Sequence, residues 1–99
     1  MQANHARGEV IATLAGRPRR LCLTLGALAE LETAFAAEGW QALAERLQGL
    51  AARDLTVVLA ALLRGGGEEA FDLSGVDLGE AVQAIAAAFT AAAHSRVWR

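Results

Sequence analysis

The chain has 99 residues, 55% of them apolar and 5% aromatic, with a formal net charge of −2. That length holds one domain able to bury roughly two-thirds of its unfolded surface, and a mean hydropathy of +0.32 argues against intrinsic disorder. The charge balance carries no global basic footprint for nucleic acid, a single cysteine excludes an intrachain disulfide, and the longest apolar run, residues 57–63, is far short of the ~20 residues that span a bilayer.

Residues 1–7 are polar and mixed, without the basic start and apolar core of a signal segment, so the expected compartment is the cytosol. They lack periodicity and are expected as a mobile tail, followed by a single domain over 8–93 and a C-terminal tail over 94–99. All nine basic residues are Arg, which with the excess of Ala, Gly and Leu marks a GC-rich genome rather than a function.

From Gly8 the pattern alternates, with Val10, Ala12 and Leu14 on one face and Ile11 and Thr13 on the other. After Ala15-Gly16-Arg17-Pro18 it resumes, Leu21, Leu23 and Leu25 against Arg20, Cys22 and Thr24. Two short alternating runs around a Gly- and Pro-containing turn predict a β-hairpin. An isolated hairpin is marginal in water, so its Leu face must lie on something else.

The remainder reads as helix. Leu28, Leu31 and Phe35 form a stripe with Thr24 as N-cap and Gly39 as the stop. A short helix from near Trp40 carries Leu43, Leu47 and Leu50, weakened at its end by Gly49. A third helix carries Leu55, Val58, Leu59, Leu62 and Leu63 and stops at Gly65-Gly66-Gly67, which predicts a flexible connection. Asp77-Leu78-Gly79-Glu80 has the spacing of a capping box, opening a helix with Leu78, Val82, Ile85 and Phe89 on one face. The predicted fold is α+β and mostly helical, an N-terminal hairpin followed by about four short helices. Its expected core is Leu28, Leu31, Phe35, Leu59, Leu62, Val82, Ile85 and Phe89.

No catalytic, cofactor or metal constellation emerges. His5 and His94 lie in or near the tails without a carboxylate or thiol at catalytic spacing, and Cys22 reads as a half-buried, inert thiol. Glu30 and Glu32 cannot face each other on a helix, and solvation explains Glu68 and Glu69. The glycine run lacks the Lys-Ser/Thr of a phosphate loop. An enzyme is therefore not expected.

Two features point to binding. Arg17, Arg19 and Arg20 cluster at the hairpin tip, where with Arg7 they could meet phosphates or an acidic partner, or simply form a solvated turn that discourages strand aggregation. Trp98 and Arg99 give the C-terminus the composition of a docking peptide, though Trp98 folding back on its own domain explains it equally. Trp40 reads as a helix-packing residue. A hairpin with free edges beside Ala-rich helices either forms a homo-oligomer or receives a partner strand or helix.

The run Arg7-Gly8-Glu9-Val10, the turn Gly16-Arg17 and the stretch Leu23-Thr24-Leu25-Gly26-Ala27-Leu28-Ala29-Glu30-Leu31-Glu32 resemble the small tail protein of gene transfer agents. That family is grouped with the phage tail-assembly chaperones and is also labelled tail tube protein. Ala52-Arg53-Asp54-Leu55 and Leu63-Arg64-Gly65-Gly66-Gly67 follow in the same order, so the resemblance spans roughly residues 7–89. Departures are Ala15, where Asp or Asn would better suit the turn, and Ala51 or Ala52, where a helix N-cap is expected.

The resemblance implies a non-enzymatic chaperone that coats the tape measure protein, keeps it soluble and helps recruit the tail tube protein, without cofactors. It places the chain in the bacterial cytoplasm or within a phage-like particle. The alternative within the family is a structural, tube-associated component. Ring-forming tube subunits typically use a β-sandwich, and one hairpin does not supply its strands. A nucleic-acid-binding adaptor is the alternative of another class, but no predicted helix carries basic residues along its length, so nucleic acid is not the expected partner.

Overall fold

The computed structural model describes residues 2–4 and 7–95. Strands β1 (Glu9–Leu14) and β2 (Arg17–Cys22) pair antiparallel, with Leu14 opposite Arg17 and Glu9 opposite Cys22. Helices α1 (Leu25–Phe35), α2 (Trp40–Arg46), α3 (Ala52–Gly65) and α4 (Leu78–Ser95) follow, with a 3₁₀ turn, Leu47–Gly49, after α2. The hairpin and four helices agree with the fold expected from sequence.

The hairpin closes through two residues of positive φ, Ala15 at 52° and Gly16 at 80°. This is the local twist that two-residue hairpins require, and Ala15 adopts it at a steric cost that Asn would reduce. Thr24 accepts a hydrogen bond from the Ala27 N–H at 3.1 Å and starts α1. The expectation that Leu25 continues the strand face is corrected here: capping at Thr24 takes over, and Leu25 opens α1 at 75% exposure. The stop of α1 is also corrected. Ala36, at φ 53°, ends the helix, while Gly39 precedes α2 at φ 85°. Trp40 opens α2, and its side chain lies outside what the structure describes.

Helix α3 starts at Ala51 without a side-chain cap, and Asp54 in its first turn complements the helix dipole instead. Asp77 Oδ2 caps α4 by accepting the Gly79 and Glu80 N–H groups at 3.0 and 3.3 Å, and Glu80 Oε1 accepts the Asp77 N–H at 3.4 Å. The same Glu80 oxygen accepts the Ala15 N–H at 3.2 Å, tying the hairpin turn to the start of α4.

One face of the hairpin lies on helices, α3 against β2 and α4 against β1, while α1 packs on α3. Leu21, Leu31, Val58, Leu62 and Leu63 are fully buried at the centre. A stripe of Ala81, Ala84, Ala88 and Ala92 is buried along α4, small enough for backbones to approach closely. Val82, expected in the core, is 49% exposed, because Ile85 and Phe89 supply the inward contacts of that stripe.

Gly65-Gly66-Gly67 does more than stop a helix. A Cβ on Gly65 would overlap the Cys22 carbonyl oxygen, and one on Gly66 the Arg20 carbonyl oxygen, so the end of α3 touches the β2 backbone directly. Gly67, at φ 93°, then reverses the chain. The connection to α4 is anchored, with Phe71, Leu73 and Val76 packed against the core.

Candidate partner-binding surface

Between α2 with its 3₁₀ turn and residues 78–90 of α4 runs an apolar groove of about 640 Å³. Ala44, Leu47 and Leu50 form one wall, Val82, Ile85 and Phe89 the other, and Leu55 of α3 closes one end. Leu78, 63% exposed, also borders a smaller depression with Leu59, Leu73 and Val76. Among the described residues no charged side chain lines the groove; Gln48 and Thr90 are its polar members. A concave, mostly apolar surface beside helices is the geometry that helix-in-groove recognition uses. Its sequence signal is that α4 carries two apolar stripes, Ala81/Ala84/Ala88, which is buried throughout, and Leu78/Val82/Ile85/Phe89, of which only Ile85 and Phe89 are buried.

The arginine cluster is drawn into the fold rather than displayed together. Arg19 Nη1 donates to Glu68 Oε1 at 2.9 Å, and the Arg20 N–H donates to Glu68 Oε2 at 3.2 Å. The expectation that solvation explains Glu68 is thereby corrected: it is a partly buried anchor between the α3–α4 connection and β2. Burial raises the Glu68 carboxyl pKa, but hydrogen bonds from Arg19 and the Arg20 backbone, with both guanidinium charges, more than offset this and hold it below the ordinary 4.5.

Because the folded value is depressed, this stabilisation is complete above pH 4.5 and is lost as pH falls through the folded value. Glu68→Gln is expected to cost about 1–3 kcal/mol at neutral pH. Urea titrations of both proteins should show that difference shrinking below pH 4.5; a difference that stays constant to pH 2.5 would refute the role.

Arg20 Nε lies 3.4 Å from Glu9 Oε1, without hydrogen-bond geometry, and its Nη2 donates to the Gln2 carbonyl at 3.1 Å. Glu9 is buried on the second hairpin face, paired with Arg7 at 3.2 Å and accepting the Asn4 N–H at 2.9 Å. Arg17 is exposed at the turn. Residues 2–4, within the segment expected as a tail, thus meet the hairpin's second face. Trp98, Arg99 and His5 lie outside the described residues, and His94 is exposed near the end of α4.

Cys22 is fully buried rather than half-buried, its Sγ donating to the Arg7 carbonyl at 3.3 Å. Burial pushes its thiol pKa up, Arg7 lowers it and Glu9 raises it, with a net upward shift. Among the described residues, no group of three His, Cys, Asp or Glu could hold a metal ion, and no helix is long and apolar enough to cross a membrane.

The family model described as phage tail tube protein, GTA-gp10, matches residues 7–95. The chain belongs to this family. No curated protein and no solved structure matches it significantly. The match begins at Arg7, just before β1, and runs to the end of α4, so it takes in the hairpin, the glycine contact with β2 and both walls of the groove. Membership gives this tail-family protein a role connected with the tail of a phage-like particle.

Proposed function

We propose that the protein is a non-enzymatic tail-assembly chaperone that binds the tape measure protein and helps the tail tube assemble around it. The observation that carries this reading is the uncharged groove between α2 and α4, with Leu78 and Val82 exposed on its rim. An amphipathic helix of the tape measure protein would lay its apolar face there, as helix-in-groove recognition requires. The family description itself favours a second reading, a structural component that stays with the tail tube. Among the described residues, one two-stranded sheet offers little from which to build a sandwich-type ring, so the chaperone is preferred.

Quantitative mass spectrometry of purified tail-bearing particles beside producer-cell lysate separates the two. The chaperone is expected in lysate and absent from particles; a copy number in particles comparable to the tube subunit would replace it with the structural reading.

A further inference from the structure

The two edges of the hairpin are treated differently by the rest of the chain. Leu14 and Arg17 close a two-residue turn, so 14/17, 12/19 and 10/21 are the pairs that exchange hydrogen bonds. Residues 18, 20 and 22 of β2, and 9, 11 and 13 of β1, therefore aim their backbone groups outward. The β2 edge is sealed. Pro18 has no N–H, the Arg20 N–H donates to Glu68, and Gly65 and Gly66 lie against the Cys22 and Arg20 carbonyls. On β1, the Glu9 N–H donates to the Asn4 carbonyl at 3.1 Å, but the N–H and C=O groups of Ile11 and Thr13 have no partner among the described residues.

We propose that this open β1 edge pairs antiparallel with β1 of a second copy of the chain, joining two hairpins into a four-stranded sheet. A two-fold axis at Ala12 sets Ile11 opposite Thr13 of the second copy and the reverse, which satisfies all four unpaired groups of each chain with four hydrogen bonds. That register leaves the Glu9–Asn4 bond in place. It sets Val10 opposite Leu14 and Ala12 opposite Ala12, while Glu9, paired with Arg7 of its own chain, falls beyond the last new hydrogen bond beside Ala15, whose N–H is held by Glu80. The unpaired groups at 11 and 13 are matched by the same two positions of an antiparallel second copy, which makes that copy the occupant, and isologous pairing closes at the dimer. The interface is separate from the α2–α4 groove, so its failure would leave the chaperone reading standing.

Sedimentation velocity of the full chain over a range of concentrations, combined with amide hydrogen exchange, tests the pairing. A dimer is expected in which the Ile11 and Thr13 amides exchange at least tenfold more slowly than in the dilute monomer. Thr13→Pro removes one outward N–H and leaves every β1–β2 hydrogen bond, so it should remain monomeric with an unchanged circular dichroism spectrum. A wild-type chain that stays monomeric, a dimer whose Ile11 and Thr13 amides remain unprotected, or a folded Thr13→Pro dimer would each overturn the proposal. Should Thr13→Pro fail to fold, the wild-type exchange pattern alone decides.

Discussion

Gly65→Ala is expected to destabilise the domain by about 3 kcal/mol, although it places a better helix former in the last turn of α3. On helix propensity alone the change should stabilise by about 1 kcal/mol, so the two readings differ in sign. The structural reason is contact: the new Cβ would run into the Cys22 carbonyl and lie 3.2 Å from Thr24 Oγ1. Neither can retreat easily. Cys22 is fixed beside the buried Leu21, and Thr24 is already engaged as the N-cap of α1. Withdrawing the end of α3 would also pull Glu68 away from Arg19 and Arg20. Gly49→Ala is the control, since a Cβ there meets nothing within 4 Å, and its effect should lie within about 0.5 kcal/mol. Chemical denaturation gives the answer directly, and a Gly65→Ala protein as stable as the wild type would show that the close approach is not required.

Two residues on the same wall of the groove should separate folding from binding. Phe89 is 7% exposed and reaches the core beside Ile85, so Phe89→Ala should cost about 3 kcal/mol, near the lower end for a buried ring because groove water can reach the vacated space. Val82, about one helical turn before Ile85, is 49% exposed and lines the groove rather than the core. Val82→Asp should change stability by less than about 1 kcal/mol. It nevertheless places a carboxylate in an uncharged groove, where docking an apolar helix would leave that charge buried and unpaired. Co-expression with tape measure fragments should therefore yield soluble complex with the wild type and aggregated fragment with Val82→Asp. Equal solubilisation by both proteins would remove the groove from the binding reaction.

What could be read in advance follows from the range of the forces involved. The hairpin, the Thr24 cap and the Asp77–Glu80 capping box are legible because each is a relation among residues a few positions apart. The continuation of Leu21-Leu23 into Leu25 misleads for the same reason: alternation persists in the letters although β2 ends at Cys22 and the Thr24 hydroxyl starts α1. The triple glycine is legible as a helix stop, yet glycine signals conformational freedom and close approach alike, and only the β2 carbonyls tell them apart. Glu68 lies 49 residues from Arg19 with no local sign of the pairing. Leu78 and Val82 carry the apolar period of a core helix, and whether that face is covered depends on where α2 comes to rest.

By itself the sequence determined the elements, their order, the caps between them and a resemblance that the family match supports, because periodicity, turn chemistry and capping act within one or two turns of chain. Only the tertiary structure decided that Gly65 and Gly66 are contact points, that Glu68 closes one hairpin edge while Ile11 and Thr13 on the other keep backbone groups without a partner among the described residues, and that α4 leaves a groove beside α2. Those depend on which surfaces meet after the chain has folded back on itself, where a single missing Cβ or an unfilled gap outweighs local preference.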